Sequence, residues 1–263
     1  MRIALSQLTT GPDPDKNLRL IEEWTQRAAD SGARVVVFPE ASMACFGTPL
    51  APLAEPLDGP WADEVRRIAR TTGTVVVAGM FTPAPEGRVA NTLLATGPEV
   101  EASYDKIHLY DAFGYRESDT VAAGTAPRVI NVDGVRLGLA TCYDVRFPEM
   151  FRAHADAGAV ATLLAASWGA GPGKLQQWEL LVRARALDAT LWIAAVDQAA
   201  PGSEPASAPT GIGHSRVAGP DGTVRHALGA EPELLVADLD VDEVAEVRQK
   251  TSVLANRRPG VWR

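Results

Sequence analysis

Cys142 stands where an apolar, strand-like run ends and a polar turn begins. The run covers 135–141, and the turn leads to a helix predicted to begin at Pro148, since proline suits the first helical turn. A cysteine attacks as its thiolate, and a free thiol with a pKa of about 8.5 needs a base, a cation or a helix N-terminus beside it. The position therefore suits a nucleophile, and it suits a small buried hydrophobic residue as well.

Two further polar residues follow apolar runs in the same way. Glu40 ends the run at 34–40, and Lys106 ends the strand-like segment at 100–106. A carboxylate can accept a thiol proton, and an ammonium can stabilise both a thiolate and an oxyanion. Taken alone, Glu40 also suits a surface turn and Lys106 a solvated surface position. The residue types allow a nucleophile, its base and its cation, provided that the fold brings them together.

Strand and helix patterns alternate along the chain, with hairpins among them. We find no linker that would divide the chain, and we interpret Pro201–Pro209 as a mobile surface loop. The pattern predicts a single α/β domain over residues 1–263, with mixed sheets covered by helices. Strands are predicted at 2–8, 34–40, 74–81, 91–96, 100–106, 127–132, 135–141, 159–166, 190–196 and 234–239, with two more around Pro220–Gly222, and helices at 17–29, 61–72, 148–156, 174–189 and 241–249.

Composition argues against several classes of function. The chain has 263 residues, a formal net charge of −8 and a pI near 5.1, which disfavour a nucleic-acid partner or an anionic membrane surface. Cys45 and Cys142 are too few for a disulfide framework or a cysteine zinc site. No signal peptide, membrane-spanning stretch or glycine-rich nucleotide motif is visible. We therefore expect a cytoplasmic protein that has no membrane partner and uses neither a metal nor a cofactor.

The three polar residues lie in segments that together resemble a known family. VVVFPE at 35–40, YDKIHL at 104–109 and TCYDVRFPE at 141–149 are similar, in this order, to the three signature motifs of the nitrilase superfamily of carbon–nitrogen hydrolases. The segment QWELLVRARA at 177–186 also resembles the helix that follows the cysteine strand in this superfamily. The resemblance covers nearly the whole chain. It implies a four-layer α-β-β-α sandwich in which the three residues converge from separate strand ends.

The resemblance assigns roles to five residues. It implies that Glu40 is the general base, Lys106 the cation and Cys142 the nucleophile, while Glu117 holds Lys106 and positions the leaving group. The backbone N–H of Tyr143 would be a second donor to the oxyanion. A cation about 4 Å away is worth roughly 4 kcal/mol at an effective dielectric near 20. We therefore expect Lys106 to lower the pKa of the Cys142 thiol.

The sequence segments CYDVRFPE and KIHLYD most resemble those of the Nit-type branch, whose members hydrolyse terminal amides of small carboxylated compounds. The resemblance implies an ω-amidase or deaminated glutathione amidase that releases ammonia through a thioester. Arg146 could bind a substrate carboxylate through its planar fork, or it could pair with Glu149 or Asp144. We expect Trp168 to form a pocket wall. An N-carbamoyl amino acid or other aliphatic amide hydrolase, and a non-catalytic binding protein on the same scaffold, remain alternatives, whereas a redox thiol protein lacks its Cys-x-x-Cys pair.

The resemblance also implies a homodimer. Family members associate through helices that include the one after the cysteine strand. In this sequence, that helix carries an apolar stripe of Trp178, Leu181, Ala184 and Leu187, which core packing would explain equally well.

Overall fold

The computed structural model describes residues 1–201 and 210–258. The predicted loop Pro201–Pro209 lies, apart from its first residue, outside the described residues. The described strands are β1 Arg2–Gln7, β2 Val35–Val37, β3 Val75–Pro83, β4 Val89–Gly97, β5 Val100–Asp105, β6 Asp111–Ala112, β7 Tyr115–Arg116, β8 Val121–Ala122, β9 Arg128–Val132, β10 Val135–Thr141, β11 Ala161–Ala166, β12 Trp192–Asp197, β13 Arg216–Ala218, β14 Val224–Ala227 and β15 Glu233–Asp238. The described α-helices are α1 Pro14–Asp30, α2 Pro60–Thr72, α3 Pro148–Asp156, α4 Lys174–Ala189 and α5 Asp242–Thr251.

Two mixed sheets lie face to face. The first has the order β15-β1-β2-β3-β4-β5, with β8 paired to β4, and the second has the order β14-β13-β12-β11-β10-β9. Helices α1 and α2 cover the outer face of the first sheet, and α3 and α4 pack against the second. The chain therefore has the expected four-layer α-β-β-α arrangement.

Apolar runs form the interior strands because both faces of those strands are covered. Val35–Val37 in β2 and Val75–Val77 in the adjacent, parallel β3 are fully buried. Alternate residues of these strands point into the space between the sheets, while the others pack beneath α1 and α2. The carboxyl-terminal residues of β2 and β10, which precede Glu40 and Cys142, are consequently buried in the core.

The predicted elements are found within a few residues of their expected limits, with one difference that bears on the site. The strand predicted at 34–40 ends at Val37, three residues before Glu40. Pro39 has no N–H to donate, and Ala41 adopts a left-handed φ of 59°, so the chain turns away from the ladder. Glu40 therefore lies in a turn beyond the strand. Among the described residues, no helix combines the length and the apolar character that crossing a bilayer would require.

Candidate active site

Cys142 begins a short 3₁₀ turn, Cys142–Arg146, directly after β10. Its φ of 44° is left-handed, a conformation that is costly for a side chain other than glycine and is often found at functional sites. Asp144 stabilises this turn because its Oδ2 accepts the backbone N–H of Thr141 at 2.8 Å. The predicted helix at Pro148 does begin there, but the nearer helical N-terminus is that of the 3₁₀ turn itself.

The fully buried Asp144 also connects the cysteine turn to the lysine segment. Its Oδ2 accepts the Tyr104 hydroxyl at 2.6 Å, and its Oδ1 accepts the His108 backbone N–H at 3.1 Å. The Nδ1 of His108 lies 2.7 Å from the same Oδ1, while the imidazole stacks on Phe147. His108 is thus a local hydrogen-bonding residue.

Glu40 is buried at the centre of the cluster. Its Oε1 accepts Lys106 Nζ at 2.9 Å and Asn91 Nδ2 at 2.8 Å, and its Oε2 accepts the Ser167 N–H at 2.9 Å. The Cys142 thiol lines the same cavity and is near enough for the charge of Glu40 to raise its pKa. The turn that carries Glu40 packs on Gly79 of β3 so closely that a Cβ there would lie 2.8 Å from the Ala41 nitrogen.

Lys106 donates to both carboxylates of the cluster. Besides Glu40, its ammonium contacts Glu117 Oε1 at 3.1 Å and Oε2 at 2.8 Å, and all three side chains are buried. Glu117 Oε2 also accepts the Tyr110 N–H at 2.6 Å. Asn91 Nδ2 bridges the two carboxylates, at 2.8 Å from Glu40 and 3.3 Å from Glu117.

Burial and mutual charge set the protonation states of this cluster. Burial, supported by the negative charge of Glu40, raises the pKa of the Cys142 thiol well above its usual value, and Lys106 does not offset them. Burial also raises the pKa of Glu40, with a further contribution from Glu117. For Lys106, burial acts to lower the pKa, but Glu40, Glu117 and Cys142 outweigh it and the pKa is raised.

Lys106 acts to lower the pKa of the Cys142 thiol, as expected, but burial and the charge of Glu40 outweigh it. The thiol is buried near a carboxylate, and the ammonium is shared between two of them. The net shift therefore favours the protonated thiol over a preformed thiolate.

All seven residues singled out from the sequence line one cavity, whose empty volume is about 410 Å³ including its open mouth. Arg146 pairs with neither Glu149 nor Asp144 among the described residues. It donates instead to Gln177 Oε1 at 2.7 Å, and its guanidinium lies 5.1 Å from the ring centre of Trp168. The cavity is lined by Glu40, Phe46, Lys106, Tyr110, Tyr115, Glu117, Cys142, Tyr143, Arg146, Ser167, Trp168, Gly169 and Lys174.

Trp168 is fixed at both its backbone and its ring. Its N–H donates to Asp197 Oδ1 at 2.7 Å, and its indole Nε1 donates to the Lys174 carbonyl at 3.0 Å. Asp197 is fully buried, and burial raises the pKa of its carboxyl well above the usual value. This rigid wall agrees with the expected placement of Trp168.

Sequence reasoning missed Asn91, Lys174 and Asp197. Asn91 begins the strand predicted at 91–96 and Asp197 directly follows the strand predicted at 190–196, so a polar residue at the end of an apolar run was a usable signal. Lys174 had no such signal, because a lysine at the start of a helix is ordinarily solvated. No group of three or more histidine, cysteine or acidic side chains is arranged to hold a metal in the part of the chain that the structure describes.

Comparison with known proteins agrees with this geometry. The family model described as carbon-nitrogen hydrolase matches residues 2–249. The chain is 54% identical to Hydrolase Rv0480c of Mycobacterium tuberculosis strain H37Rv, covering 98% of this chain and 95% of the relative. It is 34% identical to the deaminated glutathione amidase of Escherichia coli O157:H7, covering 98% and 97%.

A solved structure, the NitN amidase of Nesterenkonia sp. AN1, superimposes with a TM-score of 0.82 at 31% identity and covers 98% of this chain and 96% of that one. The resemblance inferred from the three sequence motifs is thus confirmed at the level of the family and of the fold. The chain belongs to the carbon–nitrogen hydrolase family, in the Nit-type branch of the nitrilase superfamily.

Proposed function

We propose that the protein hydrolyses the terminal amide of a small carboxylated compound and releases ammonia through a thioester on Cys142. The observation that carries this proposal is the buried Glu40 carboxylate, which accepts a hydrogen bond from the Lys106 ammonium and lines one cavity with the Cys142 thiol. An amide is a poor electrophile, so a strong nucleophile and a stabilised oxyanion are both required.

In the acylation step, Glu40 accepts the thiol proton while Cys142 Sγ attacks the amide carbon. Lys106 Nζ and the Tyr143 N–H stabilise the oxyanion of the tetrahedral intermediate. Glu40 then returns the proton to the leaving nitrogen, the C–N bond breaks, and ammonia departs from a thioester.

In the deacylation step, Glu40 activates a water molecule that attacks the thioester. The C–S bond breaks, the carboxylic acid forms, and the sulfur leaves as a thiolate that regains the proton held by Glu40. Glu117 holds Lys106 through two hydrogen bonds in both steps and lies beside the position of the leaving group.

For the substrate, we propose an ω-amide of a 2-oxo acid or deaminated glutathione. Three observations support this class: the name of the E. coli relative, the CYDVRFPE motif and the position of Arg146 on the cavity wall. Arg146 would bind the substrate carboxylate, because its Nε is buried without a hydrogen-bond partner in the described structure. The Nesterenkonia amidase, a variant of which was solved in complex with acrylamide, favours a plain aliphatic amide as the second candidate.

Ammonia release from purified protein tests the proposal. The panel holds α-ketoglutaramate, deaminated glutathione, glutamine, a plain aliphatic amide, an N-carbamoyl amino acid and a nitrile. We expect turnover of the first two, loss of turnover in Cys142→Ala, and full turnover in the matched control Cys45→Ala, since Cys45 contacts Thr48 and lies outside the cavity lining. Turnover of the plain amide alone would favour the second candidate, and no ammonia from any compound would contradict the amidase proposal.

We also propose that the protein forms a homodimer through α4 and acts in the cytoplasm. The expected stripe is partly wrong, because Trp178 is fully buried, whereas Leu180 and Leu187 expose 65% and 46% of their surface. These two leucines are seven residues apart and share one helix face. Sedimentation should give a dimer for the wild type and a monomer for Leu180→Glu; a monomeric wild type would contradict the proposal.

A further inference from the structure

We propose that Lys174 is a specificity residue that binds the negatively charged end of the substrate. This inference rests on the proposed amidase function and extends it. Lys174 lines the same cavity as Arg146, so it would supply a second cation there and, unlike Lys106, would contact the substrate away from the reacting carbon.

The environment of Lys174 is unusual for a lysine. It is only 8% exposed, its Nζ donates to the Tyr110 hydroxyl at 3.1 Å, and the ammonium lies 3.5 Å from the ring centre of Phe113. Among the described residues, no carboxylate lies within 4.0 Å of it. The other three of the chain's four lysines each pair with a carboxylate, Lys16 with Asp13, Lys106 with Glu40 and Glu117, and Lys250 with Glu246.

A cation held among aromatic rings and away from water is costly unless an anion or a hydrogen-bond acceptor compensates it. The Tyr110 hydroxyl supplies one acceptor, and the ring of Phe113 supplies a weak cation–π contact. An ammonium has three donors, so two remain for a ligand. A substrate carboxylate has the charge and the acceptor oxygens that this position lacks.

The backbone fixes Lys174 against the cavity wall. Its carbonyl accepts the indole N–H of Trp168 at 3.0 Å, and its N–H donates to the Gly171 carbonyl at 3.1 Å. Trp168 follows β11, the strand adjacent to the one that carries Cys142. The start of α4 is therefore held in a defined position relative to the nucleophile.

The charged residues that line the cavity form two groups. In the first, Glu40 and Glu117 both contact Lys106. In the second, the Arg146 guanidinium and the Lys174 ammonium lie 5.1 and 5.9 Å from the ring centre of the same indole, that of Trp168, and neither has an ion-pair partner in the described structure. In a chain of net charge −8, this local excess of positive charge favours a substrate whose amide lies at the first group and whose carboxylate lies at the second.

Steady-state kinetics of Lys174→Met, Lys174→Arg and the exposed control Lys16→Met test this inference, with α-ketoglutaramate and the uncharged pentanamide as substrates. We expect Lys174→Met to raise KM for α-ketoglutaramate at least tenfold and to change kcat and the KM for pentanamide by less than about threefold. Lys174→Arg should restore part of the affinity, and Lys16→Met should behave as the wild type.

A second readout does not require turnover. 2-Oxoglutarate should protect Cys142 from alkylation by iodoacetamide in the wild type. In Lys174→Met, the concentration of 2-oxoglutarate that gives half-maximal protection should be at least tenfold higher. If the wild type hydrolyses no amide, the proposed function fails, while this protection still tests Lys174. The inference would be overturned by equal protection in the wild type and in Lys174→Met, or by an equal rise in KM for both substrates in that variant. Lys174 would then be a structural partner of Tyr110.

Discussion

The Tyr104 hydroxyl on β5 donates a 2.6 Å hydrogen bond to Asp144 in the turn that begins with Cys142. Tyr104 lies two residues before Lys106 and Asp144 two residues after Cys142, so one buried contact connects the segments of the cation and of the nucleophile. The two segments belong to different sheets. The relative position of Lys106 and Cys142 therefore depends on this contact as well as on the packing between the sheets.

Tyr104→Phe should lower both kcat/KM and stability. The substitution keeps the ring in the core but leaves a buried Asp144 oxygen with one partner fewer, at a cost of about 1–3 kcal/mol. We expect kcat/KM to fall tenfold or more with an unchanged far-ultraviolet circular dichroism spectrum. Kinetics and urea unfolding of the same samples measure both effects, and an unaltered kcat/KM would show that the contact does not position the site.

Glu40→Gln should separate thiol reactivity from turnover. The negative charge of Glu40 contributes to the raised pKa of Cys142, so its removal should shift the alkylation profile of the thiol to lower pH. Turnover should nevertheless fall by about 10²–10⁴-fold, because the base is lost. Iodoacetamide kinetics across pH 6–10 measure the first effect and ammonia release the second. A profile that moves to higher pH in the variant would contradict the assignment of Glu40 as the neighbouring charge.

The contribution of His154 to stability should decrease as the pH falls from about 6.5 to about 4. His154 is fully buried, and burial lowers its pKa to about 4, while its Nδ1 lies 3.1 Å from Thr162 Oγ1. Below its ordinary pKa of about 6.5 the unfolded chain binds a proton that the folded chain does not, so stability is complete above this range and is lost below it. The loss amounts to about 3 kcal/mol at pH 4.

Urea unfolding at several pH values measures this loss. His154→Leu should flatten the dependence between pH 6.5 and 4, whereas the exposed control His226→Leu should retain it. The same pH dependence of the free energy of unfolding in the wild type and in His154→Leu would contradict the role of His154.

Gly79→Ala should disturb Glu40 without touching the cavity. A Cβ at Gly79 would lie 2.8 Å from the Ala41 nitrogen and 3.2 Å from the Pro39 carbonyl oxygen, so the turn that carries Glu40 must shift. We expect a loss of about 1–3 kcal/mol in stability and a lower kcat. In the control Gly229→Ala, where a Cβ would have open space, both should remain near the wild type. Wild-type kcat in Gly79→Ala would mean that the turn tolerates the displacement.

Much of the fold was predictable because the apolar runs determine it locally. Val35–Val37 and Val135–Thr141 read as buried strands and are strands in the structure, and the helix expected at Pro148 begins there. The elements that were misplaced depend on non-local contacts. The turn at Glu40 packs on Gly79, a residue 39 positions away along the chain, and no local pattern reveals it.

The same distinction applies to the site. Motif order identified Glu40, Lys106 and Cys142, which line the cavity in the structure. Lys174 and Asn91 were missed because their importance comes from which neighbours surround them, and the resting protonation of Cys142 was missed because it depends on burial. Charge type can be read from a sequence, but the balance between desolvation and ion pairing requires the packed structure.

The raised pKa of the Cys142 thiol also affects its resistance to oxidation. Peroxides convert thiolates to sulfenic acid much more readily than they convert thiols. In the proposed mechanism, a nucleophile that rests protonated and buried would therefore be protected from oxidants until it attacks a bound substrate and Glu40 accepts its proton. The position of this cysteine near a carboxylate, rather than among an excess of cations, would keep its sulfur intact between turnovers.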